Sequence, residues 1–447
     1  MRAPATPSTP LRDFEATYAA GAAVNAEDDP YSRQLWRSER TIPGVDAGRD
    51  ELLPFVGPPF GLPLWSQLAR VNYAQAALLW SFALALAFAL LTVGAIVLAA
   101  RTASAFDYLA VVTLGAGFAP LTSGLALGQV AVVSCAAALL AQFALARRNA
   151  LGAGFAMLAA GLQPNLAIAL LARLPERRTV FAVLLATAVA LGCSAIALGS
   201  PAGLIRYATL VRDHAAAESG IAIQTTVGAV ASAFGAAPGT AGVLAATFAL
   251  GMAAASLAIF ATGRYGGLER FAIASAALPP ALTFSHEHDF TLALFPAILC
   301  ARRCAGWTWM AAACAGTALA ANWLGFAAEP ASDAQSLCLT GAAGLAFAAL
   351  GPEALGTRRF VPLSIVPLAA LGAALASAHP LPVWPDALPH AFHAGKTLPV
   401  AEVWRREQLA TGLGGFQPVS GALRLCSLAA CVTLAGAAAL GLRKPRA

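Results

Sequence analysis

Residues 74–100, AQAALLWSFALALAFALLTVGAIVLAA, run for 27 positions without a charged side chain and stop at Arg101. A helix needs about 20 apolar residues to cross a bilayer core, so this stretch is long enough to span one. The chain then repeats the pattern. Apolar runs at Phe106–Pro120, Leu125–Ala146, Thr179–Gly199, Thr240–Thr262, Ala305–Trp323, Gln335–Leu350, Phe360–Ser377 and Ala422–Leu442 are each near the length a bilayer demands or a little short of it. Of the 447 residues, 59% are hydrophobic and 11% charged, and the mean hydropathy is +0.70. Soluble domains carry about a quarter charged residues. The expected fold class is therefore all-α, a polytopic integral membrane protein.

Two segments break the count. Only 24 residues separate Arg148 from Arg173, with Gln163-Pro164-Asn165 in the middle, and 31 separate Arg270 from Arg302, with Ser285-His286-Glu287-His288-Asp289 in the middle. Two full spans need about 40 residues. Each segment is expected to be a pair of short helices whose polar tip stops in a protein-lined cavity, where irregular backbone is tolerated. A single long span is the alternative for the first. It is poor for the second, which would set five polar residues in mid-bilayer.

The positive-inside rule orients these elements. Arg101, Arg147/Arg148, Arg173/Arg177/Arg178, Arg264/Arg270, Arg302/Arg303, Arg358/Arg359 and the tail Arg443/Lys444/Arg446 fall on one side, taken as cytoplasmic. That side holds 15 of the 28 basic residues and four of the 22 acids (Asp107, Glu176, Glu269, Glu353). All six histidines fall on the other. The resulting division is an extracytoplasmic segment 1–73, a transmembrane domain 74–442 with an extracytoplasmic loop 378–421 inside it, and a cytoplasmic tail 443–447. Polar chemistry at Asp13, Gln163-Asn165, His286–Asp289, the loop Ser200–Gly220 and the loop Ala378–Gly421 converges on one compartment, as in an enzyme of the outer leaflet.

The first 72 residues hold nine acids and seven arginines and no signal peptide: MRAPATPSTP has no apolar core. So many charges crossing ahead of the first span predict a further transmembrane helix preceding this sequence. Within the segment, Leu64, Trp65, Leu68 and Val71 predict a short helix lying in the interface with Trp at headgroup level. Asp13 either N-caps the helix that follows it or serves as the carboxylate that takes a proton from an attacking hydroxyl. Sequence chemistry alone favours the cap slightly. The eight cysteines lie in or beside apolar runs and suggest small core residues, neither a disulfide framework nor a zinc site.

Four places resemble a known family. They are Arg12-Asp13-Phe14 through Ala20-Gly21 to Asp29-Pro30-Tyr31; Gly57-Pro58-Pro59-Phe60 to Pro63, then Trp80; Gly128-Gln129 within a span; and Gln163-Pro164-Asn165. In this order they resemble glycosyltransferase family 87 of the GT-C superfamily, which uses polyprenyl-phosphate sugars and includes bacterial mannosyltransferases. The resemblance covers roughly residues 12–300. It implies a GT-C type fold of roughly 11–13 transmembrane helices including short hairpins, in a bacterial plasma membrane, with Asp13 as general base in the first extracytoplasmic loop. The chain departs from the pattern at Gln163, where the family has lysine, and at Gly57, where it has tyrosine.

Transfer from such a donor needs a base, cations or donors for the leaving phosphate, and an apolar groove for the tail. His286 and His288 suit the phosphate, against a helix-end cluster paired with Glu287 and Asp289; Arg206, Arg212 and His214 come second. Gln129 is a substrate contact or an interhelical hydrogen bond. Asp289, Gln163 and Asn165 complete the expected substrate-binding set. No cofactor is expected, the lipid-linked sugar being the co-substrate. His286, His288 and Asp289 are metal-ligand types, but with no further ligand placed, a divalent metal ranks below the phosphate role. The expected partners are the lipid-linked donor, a glycan or glycolipid acceptor and membrane lipids, with no nucleic acid. Two other readings stay open: a multipass transporter or flippase of lipid-linked glycans, and a family member without activity.

Overall fold

The computed structural model describes residues 11–100, 102–395 and 397–443. Arg101, Lys444 and Arg446, assigned above to the cytoplasmic side, lie outside the described residues. Among the described residues every regular element is helical. The main helices are α1 (Phe14–Asn25), α2 (Leu62–Leu68), α3 (Tyr73–Ala99), α4 (Ala105–Gly117), α5 (Ala119–Leu127), α6 (Val130–Ala146), α7 (Ala150–Ala160), α8 (Arg177–Leu198), α9 (Pro201–Glu218), α10 (Pro238–Ala261), α11 (Gly267–Ala281), α12 (Leu294–Arg303), α13 (Gly306–Ala320), α14 (Asp333–Leu350), α15 (Ile365–Ser377), α16 (Val400–Ala410) and α17 (Pro418–Gly441), with shorter turns of helix between them. Seven are long and apolar enough, some with their flanking turns, to cross a membrane, and eight if the bent pair α4–α5 counts as one span. The chain is a polytopic membrane protein.

Two shorter apolar helices, α6 and α7, stand beside these spans. The first anomalous segment folds as α7, a break at Gly161–Gln163, a turn of helix from Pro164, and a 3-10 stretch Ile168–Arg173. The second folds as α11, a break ending at His286, a 3-10 turn Glu287–Ala293, and α12. Proline sets both breaks: Pro164 opens a helix where its missing N–H costs nothing, and Pro279-Pro280 close α11, which ends at extended Leu282.

Three expectations are corrected. The apolar run Leu125–Ala146 is not one helix. Its first residues finish α5, which bends 63° from α4 at Phe118, and Gly128 at φ +78° ends it before α6 begins. Only glycine takes that left-handed position at no cost. The stretch Ser200–Gly220 is no loop but α9, with Pro201 in its first turn. Its inner face, Tyr207, Leu210, His214 and Glu218, has helical spacing that an eye set for apolar runs passes over. Trp65 does not face outward from its short helix. It is buried edge-on against Trp80, 5.4 Å between ring centroids, because α1 lies over α2 so closely that Gly21 faces the Trp65 carbonyl directly.

α17 is the central element, packed on α11 and α13, while α4 packs on α14 and α6 on α7. α10 contributes almost nothing to the core; Ala241 is its one buried residue. At the ends of α4 and α12 remote from the His286 turn, ion pairs tie the bundle: Arg302 to Asp107 and Arg303 to Glu269, each at 2.9 Å. Arg303 also donates to the carbonyls of Leu98 and Ala99.

Candidate active site

A cavity of about 830 Å³ opens where the short elements meet. Asp13, Gln129, Gln163, His286 and His288 line it together with Trp65, Glu218, Trp404 and the segment Leu53–Pro58. Residues as far apart in the chain as Asp13 and Trp404 thus face one space.

Asp13 does not cap α1: its side chain makes no capping hydrogen bond. Instead Gln129 Nε2 donates to Asp13 Oδ2, and the Asp13 backbone N–H donates to the Leu127 carbonyl at 2.9 Å. The turn at Gly128 makes this possible. A β-carbon there would stand 2.8 Å from that of Leu11, and the Gly128 carbonyl accepts from Trp80 Nε1 at 2.8 Å. Trp80 in turn stacks on Phe14, 5.5 Å between centroids. The Gly-Gln of one helix break and the Asp-Phe of the amino-terminal segment are one structural unit. Burial raises the Asp13 carboxyl above its ordinary value, opposed by the Gln129 amide and the positive charge of His286.

Opposite Asp13, Glu218 is saturated. Trp404 Nε1 donates to its Oε1 and Gln224 Nε2 to its Oε2; His214 Nε2 lies 3.1 Å from Oε1 and His286 Nε2 3.3 Å from Oε2. Burial alone would raise this carboxyl, but the two imidazoles outweigh it and hold Glu218 well below the usual range. Burial works against a charged His286, yet Glu218, Asp289 and Asp13 overcome it and push the imidazole up to about 9. His288, stacked on His286 at 5.3 Å, is driven well down by burial and by that neighbouring charge, and is neutral. None of the described lining residues is Lys or Arg. Among them, His286 is the side chain whose surroundings favour the cationic form.

The other expected residues fall elsewhere. Asp289 is fully buried behind the turn, where its Oδ2 accepts the His286 backbone N–H at 3.0 Å. Gln163 reaches the same carboxyl from the cavity side. Asn165 does not line the cavity, since Pro164 turns the chain into its short helix. Arg206 and Arg212 lie on the outer face of α9, largely exposed, near Asp29 and Asp213 respectively. Helical geometry separates them from His214 and Glu218, which face in. Sequence reading missed Glu218, Gln224 and Trp404. The His214–Glu218 spacing of four was the available signal. Among the described residues no three His, Cys, Asp or Glu side chains lie close enough to hold a metal ion.

The profile of glycosyltransferase family 87 matches residues 55–285, just over half of the chain. This chain belongs to glycosyltransferase family 87. It is a membrane glycosyltransferase, and the match embraces the Gly128 turn, Gln163, α9 and the start of the histidine turn, while Asp13 lies ahead of it. Comparisons with curated proteins and with solved structures found no match. The family supplies the reaction class, and the cavity supplies groups suited to it.

Proposed function

We propose that this family 87 chain transfers mannose from a polyprenyl phosphate carrier to a glycan or glycolipid hydroxyl on the extracytoplasmic side of a bacterial plasma membrane. The observation that carries this reading is the sharing of one cavity by Asp13 and the His286–His288 pair. With Gln129 holding Oδ2, Oδ1 of Asp13 takes the proton of the acceptor hydroxyl. The hydroxyl oxygen attacks the anomeric carbon, and the bond from that carbon to the phosphate oxygen breaks. The electron pair leaves with the polyprenyl phosphate, whose new negative charge meets the His286 imidazolium and the N–H of neutral His288. Positively charged and N–H donors aimed at developing charge in a water-poor site are the strongest means a protein has of lowering such a barrier. A raised carboxyl suits the base, because general bases work best near the ambient pH. The apolar wall of Trp65, Leu127, Val130, Leu162 and Leu339 offers the polyprenyl tail a lining. Gln163, where the family has lysine, contacts the donor as an uncharged amide.

The test is sugar transfer by the full chain in proteoliposomes, using short-chain polyprenyl phosphate mannose with other polyprenyl phosphate sugars alongside. Asp13→Asn should lower transfer by about 10²–10⁴-fold, the range of general-base contributions, with the fold unchanged. Equal transfer by both proteins would remove Asp13 from the mechanism. Failure with every polyprenyl donor would overturn the donor class.

A further inference from the structure

Glu218 lies in none of the four places that carry the family resemblance, yet four side chains hold it in the cavity wall. It is 2% exposed, and both its oxygens are occupied by Trp404, His214, Gln224 and His286. It has no oxygen left for a substrate. Its neighbours are themselves fixed. The Ser285 N–H donates to Gln224 Oε1 at 2.9 Å, which turns the amide nitrogen toward Glu218. The Gln224 carbonyl accepts from the buried guanidinium of Arg424 on α17 at 2.7 Å, as does that of Ile221 at 3.3 Å. Arg424 is 1% exposed and spends its hydrogen bonds on this one loop and on its own helix.

From this geometry we infer that Glu218 is a positioning residue: a carboxylate locked by Trp404, Gln224 and Arg424 that fixes His286 in orientation and in charge. Its purpose rests on the assignment of His286 to the leaving phosphate. Among the described residues, the charged and titratable groups around His286 are Glu218 and His214 from α9, Asp13 ahead of α1, and Glu287, His288 and Asp289 on its own turn. Among the described residues, Glu218 is the one whose anionic oxygen is in direct contact with Nε2. A sugar phosphate entering the cavity therefore meets a cation already oriented and already compensated. Without Glu218, that proton would have to be recruited at each turnover.

Two readouts test this on the full chain in nanodiscs and proteoliposomes. The first is the titration of His286 by NMR of isotope-labelled histidine, its signal identified by its loss in His286→Gln. In the wild type His286 should stay protonated to about pH 9. In Glu218→Gln it should titrate at or below the ordinary imidazole value of about 6.5. Glu218→Asp, which keeps the charge one methylene back, should restore much of the shift and guards against a Gln variant that fails to fold. An unchanged His286 titration in Glu218→Gln overturns the inference, and so does a Glu218→Asp titration that falls to the ordinary imidazole value. The second readout is the pH profile of transfer: kcat of Glu218→Gln near pH 8 should fall by about 10²-fold with KM little altered. A moved titration with an unmoved profile would overturn the role given to His286, and that of Glu218 with it. Absence of transfer by the wild type would sink the donor assignment instead, and the titration would still decide whether Glu218 governs His286.

Discussion

Asp13 and His286 illustrate how one cavity holds a base and a cation at the same pH. Both are raised from their ordinary values, but the working forms are opposite. Asp13 acts when deprotonated, so transfer should rise with pH through its carboxyl titration. His286 acts when protonated, so transfer should fall as pH passes about 9. A bell-shaped kcat profile is the expected outcome, with its acid limb above the ordinary Asp range. A profile still flat at pH 10 would exclude an imidazolium role. Gly128 carries a second prediction at this scale. Its φ of +78° costs a side-chain-bearing residue about 1–2 kcal/mol, and a methyl there meets Leu11 and Phe14. Gly128→Ala should therefore displace Asp13 and lower kcat by about 10-fold or more, measured against an unchanged circular dichroism spectrum.

Among the elements, α1 and α17 matter beyond their size. α1 approaches α2 so closely that a β-carbon on Gly21 would lie 2.1 Å from the Trp65 carbonyl oxygen. That oxygen is backbone and cannot rotate away. Gly21→Ala should separate the two helices and lower stability by about 1–3 kcal/mol, visible as a lower Tm. From α17, Arg424→Leu would strip donors from the Ile221 and Gln224 carbonyls. The Ile221 carbonyl keeps the Gln224 backbone N–H at 3.1 Å, but the Gln224 carbonyl loses the 2.7 Å bond, and a buried carbonyl left without a partner costs about 1–3 kcal/mol. The loop should loosen, with faster hydrogen exchange at Ile221–Thr226 and reduced transfer. α9 shows why such features escape sequence reading. Its polar composition suggested a loop, whereas burial of every third or fourth residue against α16 makes it a helix.

For the whole molecule, the orientation proposed here predicts a labelling pattern. In a background freed of native cysteines, His390→Cys should react with a membrane-impermeant maleimide on intact cells. Arg148→Cys should react only after permeabilisation. Both positions are exposed in the fold, so the membrane alone decides access. The reverse pattern would invert the topology and place the cavity in the cytoplasm.

Composition and charge along the chain were enough to establish an all-helical membrane protein and most of its spans, because the cost of burying charge in hydrocarbon is read position by position. The two segments too short for paired spans, each with a polar tip, were legible for the same reason. What the tertiary structure decided was adjacency. That Asp13 bonds Gln129 rather than capping its own helix depends on the Gly128 turn meeting the amino-terminal segment, 116 residues away in the chain. That Glu218, Gln224, Trp404 and Arg424 support His286 depends on four separate segments closing around one point. Hydropathy and local spacing carry no term for such contacts: the energy of a buried hydrogen bond or ion pair belongs to both partners, and only the folded chain brings them together.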